Sequence, residues 1–92
     1  MEKIELVNPI TVEGKEIKEF ELDFSKITGA AMLNAEKSTR TLGEQNPQIM
    51  FSQTYQAFIA AKASGVPYKQ LCDLPGGDFQ KILLAVNRFL FQ

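Results

Sequence analysis

Few side chains in this sequence are of a type that carries out catalysis. It contains no histidine, so Ser-His-Asp and Cys-His arrangements are excluded, and the commonest metal ligand is missing. Cys72 is the single cysteine, which excludes a thiolate zinc site and an intramolecular disulfide. Its position in KQLCDLP predicts a small residue in the core. We therefore expect no catalytic residue, no metal ligand and no cofactor.

The segment PGGD, residues 75–78, invites comparison with phosphate-binding loops. It lacks the spacing and the Gly-Lys-Ser/Thr ending of that motif, so we interpret it as a tight turn with Asp78 capping the following helix. The carboxylates near the N-terminus alternate with apolar residues, which predicts a solvated strand face: Glu13, Glu16, Glu19, Glu21 and Asp23. We expect a protein that is not an enzyme.

The charge balance argues against nucleic acid as a partner. Ten basic and eleven acidic side chains give a net charge of −1, and no run of Lys or Arg stands out. Tyr55 and Tyr68 are able to stack on bases, but the sequence predicts no basic groove beside them. No apolar run approaches the roughly 20 residues that span a bilayer. The start MEKIELVNPI has no apolar signal-peptide region. These features predict a cytoplasmic protein that binds neither nucleic acid nor membrane.

Alternating residues near the N-terminus predict two strands. Ile4 and Leu6 share one strand face, and a second strand places Phe20, Leu22 and Phe24 opposite Glu19, Glu21 and Asp23. Gly14 lies between the two runs, where a hairpin turn is expected. Pro9 has no N–H to donate, so it must lie at an edge, a bulge or a strand start.

Helical segments follow the predicted hairpin. The first is expected over residues 27–42, capped by Ser25 or Thr28, stopped by Gly43, and buried through a weak stripe: Ile27, Ala31, Ala35, Ser38 and Leu42. The second runs from Pro47 or Gln48 to Ser64, with Gly65 at positive φ after its end. One side of this helix carries Phe51, Tyr55, Phe58, Ile59 and Lys62. A short helix then runs from Pro67 to Leu71 or Cys72.

The last helix has the strongest apolar pattern. One continuous stripe contains Phe79, Ile82, Leu83, Val86, Phe89 and Leu90. Leu84 and Phe91 lie off this stripe, either because they touch other core elements or because they form a contact face for another subunit or partner. The fold class is α+β: an antiparallel β-hairpin or small sheet followed by three to four α-helices. We expect a single domain over residues 1–92, with the hairpin in 1–24 and the helices in 25–92.

The sequence resembles the tail assembly chaperones of long-tailed bacteriophages and related prophages over nearly its whole length. The resemblance is carried by the order of several segments: TVEGKEI, LDFSKITG, AEK, YQAFIAAKASGVP, LPGGDF and the final V..FL. It implies a protein without catalytic activity that binds the tape measure protein and keeps it soluble while the tail tube forms. The major tail tube protein is a further partner that the resemblance implies.

The resemblance also implies self-association into a homo-oligomer, action in the host bacterial cytoplasm and absence from the mature virion. The chain resembles the short form of these chaperones. An alternative interpretation is a structural tail component or adaptor of a phage or prophage particle. A chaperone for an apolar helix needs exposed apolar groups. The last helix offers Leu84, Phe89 and Phe91, and the second offers Tyr55 and Phe58, unless these two belong to the core.

Overall fold

Two antiparallel strands form a hairpin at the start of the chain. In the computed structural model, which describes residues 2–92, β1 spans Glu2–Val12 and β2 spans Lys15–Leu22. Glu13 and Gly14 connect the strands, with φ angles of 51° and 81°. Positive φ at both turn residues matches the twist of the flanking strands. The predicted turn at Gly14 is confirmed.

A bulge interrupts β1. Glu5 pairs with Glu19 and the next pair is Ile10 with Ile17, so residues 6–9 stand opposite Lys18 alone. Pro9 lies within this bulge, where its missing N–H breaks no ladder hydrogen bond. The prediction for Pro9 is confirmed.

Four α-helices follow the hairpin, which confirms the α+β fold class. They are α1 (Gly29–Thr41), α2 (Gln53–Ser64), α3 (Tyr68–Cys72) and α4 (Gly76–Leu90). Single 3₁₀ turns at Phe24–Lys26 and Ile49–Phe51 precede α1 and α2. Thr28, not Ser25, caps α1, because its hydroxyl oxygen accepts a hydrogen bond from the Ala31 N–H at 3.1 Å. Gly43 and Gly65 have φ angles of 104° and 79°, which confirms both predicted helix stops.

The predicted start of α2 at Pro47 or Gln48 is wrong. The Arg40 guanidinium donates to the carbonyl oxygens of Glu44, Asn46 and Pro47, at distances of 2.7 to 3.5 Å. These bonds hold the segment as a loop. The hydroxyl oxygen of Ser52 then accepts from the Tyr55 N–H at 3.3 Å, and the helix begins at Gln53, later than expected.

The core lies between the hairpin and the helices. Five of its most completely buried side chains, each at most 1% exposed, come from β2, α2 and α4: Phe20, Leu22, Ile59, Ile82 and Val86. The outward residues Glu19 and Glu21 are exposed, so the alternation predicted for β2 is confirmed. α4 packs against both β1 and α2, which places the strongest apolar stripe at the centre of the molecule.

Three predicted core positions are corrected. The stripe on α1 buries only Ala35 fully, whereas Ser38 and Leu42 are exposed, because α1 packs mainly against α2. Thr39 is buried instead, and its hydroxyl donates to the Ala35 carbonyl at 2.7 Å. Cys72 is exposed, and its neighbour Leu71 occupies the core position at 1% exposure.

Asp78 lies in the first turn of α4 but does not cap it, contrary to expectation. Its two carboxylate oxygens accept hydrogen bonds from the Val7 and Asn8 N–H groups, at 3.0 and 3.1 Å. The bulge turns these N–H groups away from β2, and Asp78 supplies the acceptors that the strand ladder does not. The bonds hold the pKa of the carboxyl below its ordinary value of 3.8.

Candidate partner-binding surfaces

The five predicted contact residues do not form one surface. Leu84 and Phe91 are 55% and 46% exposed, whereas Phe58 and Phe89 are half-buried. Phe89 stacks on Phe24 with ring centroids 4.5 Å apart, which occupies one face of its ring. Tyr55 is only 3% exposed, so it packs in the core and offers no surface to a partner. The core alternative that the sequence left open for Tyr55 is therefore the correct one.

Phe91 contributes to an exposed aromatic cluster at the end of α4. Its ring stacks on Phe51, with centroids 5.4 Å apart and planes 19° from parallel. Phe51 is 58% exposed and its neighbour Met50 is 41% exposed. Leu84 lies about two helical turns before Phe91 on the same side of α4. We call Met50, Phe51, Leu84 and Phe91 the C-terminal surface.

A pair of hydrogen-bonded amide side chains fixes the position of this surface. The Gln56 and Asn87 side chains donate to each other, both at 3.2 Å, and so join α2 to α4. Gln56 also donates to the Met50 carbonyl at 2.9 Å, and Asn87 donates to the Leu83 carbonyl at 2.9 Å. These bonds hold the 3₁₀ turn that carries Phe51 beside α4. Hydrogen bonds beneath the C-terminal surface therefore hold its residues in place.

The exposure of the Phe51 side chain was not predicted from the sequence. The apolar pattern placed Phe51 and Tyr55 on one face of a continuous helix, but α2 begins at Gln53, so Phe51 lies outside that helix and its ring is free to face outward. The signal was present in Ser52, which is a favoured N-cap residue directly after Phe51. A helix started at Ser52 would have separated the two aromatic residues.

A second surface runs along α1. A hollow of about 540 Å³ opens between α1 and α2, and an adjoining hollow of about 420 Å³ continues toward α3. At their junction Phe58 stacks on Tyr68, with centroids 4.0 Å apart and planes 10° from parallel. Burial raises the pKa of the Tyr68 phenol, so the ring is neutral at physiological pH.

Three lysines surround these hollows, and the residues that line them include no carboxylate. Lys26 and Lys62 border the hollow toward the start of α1, and Lys37 borders the hollow toward its end. All three are exposed. We call this surface, defined by Lys26, Lys37, Phe58, Lys62 and Tyr68, the lysine groove. The expectation of no basic groove beside Tyr68 is therefore wrong.

The described part of the chain shows no group of three or more His, Cys, Asp or Glu side chains placed to hold a metal ion. None of the helices in residues 2–92 combines the length and the apolar character that a membrane span requires. What the two surfaces present is apolar and aromatic contact area, with cationic groups around the lysine groove.

Comparison with known proteins gives one match. No curated protein and no solved structure matches the chain. The model of the family described as "Phage tail assembly chaperone proteins, E, or 41 or 14" matches residues 3–90, which include the hairpin and all four helices. The match covers nearly the whole chain. This chain therefore belongs to the family of phage tail assembly chaperone proteins.

Proposed function

We propose that this protein binds the tape measure protein and keeps it soluble while the tail tube assembles. The observation that supports this most directly is the C-terminal surface, where aromatic and aliphatic side chains face outward from a supported position. An apolar helix laid on such a surface is a common mode of recognition. A chaperone needs apolar groups of this kind, and it needs them outside its own core.

We propose that α4 serves both the core and partner binding. The stripe containing Ile82, Leu83 and Val86 packs into the core, while Leu84 and Phe91 remain exposed on the other side. Covering an apolar side chain of this size contributes about 1–3 kcal/mol to binding. We propose that Leu84 and Phe91 contact the tape measure protein, with Phe51 extending the contact.

The remaining parts of the proposal follow from a role in assembly. The protein acts in the host bacterial cytoplasm and leaves before the virion is complete, the major tail tube protein is a second partner, and copies of the chain associate with one another. The family supports an assembly role, and the exposed apolar groups support association.

The test is the double variant Leu84→Ser/Phe91→Ser, co-expressed with the tape measure protein. We expect retained folding and at least a tenfold loss of copurification, since losing two anchors removes several kcal/mol at about 1–3 kcal/mol each. The soluble fraction of the tape measure protein should fall as well. Thermal melting of the isolated variant shows whether the fold is intact.

The matched control is Val7→Ser/Leu33→Ser. These two side chains are 72% and 68% exposed and lie on β1 and α1, so the control removes exposed apolar area elsewhere. It should leave copurification unchanged. Equal copurification of both double variants would contradict the placement of the contact on α4. Recovery of this chain from purified particles would contradict the chaperone role and favour a structural component.

A further inference from the structure

The lysine groove combines a floor of alanine, aromatic and small polar side chains with unpaired positive charge. Lys26, Lys37 and Lys62 each lack a carboxylate oxygen within 4.0 Å among residues 2–92, although five other basic side chains form such pairs. Phe58 and Tyr68 form the aromatic part of the floor. An occupant that matches this surface is apolar at its centre and acidic at its margins.

The length of the groove suits a helix. The lining residues on α1 run from Ala30 to Thr41, a separation of eleven residues. At about 1.5 Å per residue this is about 17 Å, or three helical turns. A helix of that length presents anchors at i, i+3 or i+4, and i+7, which is the usual pattern for a helix held in an apolar groove. A further hollow extends the groove past Phe58 to Val66 and Pro67, so the groove does not end at Tyr68.

The helix must come from another protein. Among the four helices of this chain the acidic residues are Glu36 in α1 and Asp78 in α4, and Asp78 is buried against β1. No helix of a second copy therefore offers an apolar stripe with acidic margins. We infer that the lysine groove binds an amphipathic helix of a partner protein, whose apolar stripe covers Phe58 and Tyr68 and whose Asp or Glu side chains pair with Lys26, Lys37 and Lys62.

This inference does not depend on the proposed contact at the C-terminal surface. Leu84, Phe91 and Phe51 line none of the hollows that make up the groove. A probe of defined sequence can therefore test the groove without the tape measure protein. A failure of the probe to bind would overturn the inference about the groove. It would not affect the proposed binding of the tape measure protein, which the Leu84→Ser/Phe91→Ser variant tests.

The probe is a labelled helical peptide of about four turns, roughly 15 residues, with leucines at i, i+3, i+4 and i+7 and glutamates beside them. A second peptide replaces every glutamate by lysine. We expect fluorescence anisotropy to show at least about tenfold tighter binding of the glutamate peptide, with the difference reduced at high salt.

The variant Lys26→Glu/Lys62→Glu should reverse this preference and bind the lysine peptide more tightly. The matched control is Lys15→Glu/Lys69→Glu, because both of these lysines are exposed and line none of the hollows that form the groove. It carries the same change in net charge and should retain the wild-type preference. Melting curves of both variants establish that the fold is intact.

Three further results would overturn the inference. One is an equal effect of the two double variants, which would indicate general electrostatic attraction. Another is loss of peptide binding in the Leu84→Ser/Phe91→Ser variant, which would move the binding site to the C-terminal surface. The third is a wild-type oligomer, seen by sedimentation without peptide, that dissociates in the Lys26→Glu/Lys62→Glu variant. That outcome would show a second copy occupying the groove.

Discussion

Gly65 ends α2 in the left-handed conformation, with a φ of 79°. Its N–H donates to the Ala61 carbonyl at 2.9 Å, so this conformation closes the last turn of the helix. An added Cβ would meet no atom within 4 Å, so a side chain at this position is disfavoured by backbone conformation and not by crowding. The segment ASGVPYKQ is thus a joint between α2 and α3.

We expect Gly65→Ala to lower the free energy of unfolding by about 1 kcal/mol, because a side chain disfavours positive φ. Chemical denaturation measures the change. Gly77→Ala is the matched control: Gly77 lies in the first turn of α4, has no positive φ, and has equally open space for a Cβ. It should be neutral or slightly stabilising. Unchanged melting together with lost partner binding would identify Gly65 as part of a binding site instead.

The elements are joined by contacts that local patterns do not reveal. The alternation of β2 and the stripe of α4 were predictable, because burial on one face imposes a period of two or 3.6 residues. The partner of Asp78 was not predictable, since it lies 71 residues earlier in the chain. The start of α2 was missed although Ser52 is a favoured N-cap residue, since the Arg40 contacts that hold the preceding loop are not visible in the local sequence.

The candidate surfaces also combine features that local patterns predict with features that depend on distant contacts. The exposure of Leu84 and Phe91 could be expected from their positions off the α4 stripe. The pairing of Phe91 with Phe51 depends on how α2 and α4 meet, and the lysine groove depends on how α1, α2 and α3 meet. No single segment of sequence contains that information.

The hydrogen bonds from β1 to Asp78 join two elements of the fold, and mutation of Asp78 tests their contribution to stability. Asp78→Asn removes one acceptor and places an amide NH₂ near the Val7 or Asn8 N–H, so we expect a fall of several degrees in Tm. Gln80 lies on the same helix two residues later, and its side chain is exposed. Gln80→Ala is therefore the control and should leave Tm nearly unchanged, because truncating an exposed side chain in a helix removes little packing.

The effect of Asp78→Asn should depend on pH. The native pKa of Asp78 lies below the ordinary value of 3.8, so the ionised carboxylate stabilises the fold above that value, and the stabilisation is lost as pH falls through the native pKa. The difference in stability between wild type and Asp78→Asn should be largest near neutral pH and shrink below about pH 4. A difference that grows in acid would contradict this role of Asp78.

At the scale of the whole molecule, charge is unevenly distributed. The hairpin, residues 2–22, holds six glutamates and three lysines, whereas residues 23–92 hold seven basic and five acidic side chains. The exposed apolar groups lie mostly in the second part. The acidic hairpin therefore contrasts with a helical part that has both apolar area and an excess of positive charge.

We expect this molecule to self-associate as its concentration rises, because a 92-residue chain has a small core and leaves apolar groups uncovered. Light scattering over a concentration series should show dimers or larger species. The Leu84→Ser/Phe91→Ser variant should shift the series toward monomer if the C-terminal surface takes part. A strict monomer at high concentration would contradict self-association while leaving the proposed binding of the tape measure protein untouched.

The bond from Asp78 to the β1 bulge also has a consequence for biosynthesis. The ribosome makes β1 before α4, so the acceptors for the Val7 and Asn8 N–H groups are translated only about 70 residues later. A nascent hairpin consequently has its bulge solvated by water until α4 emerges from the exit tunnel and docks. Contacts between such distant positions form late because of the loop that must close. β1 is thus synthesised before α4 but completed only after α4 docks.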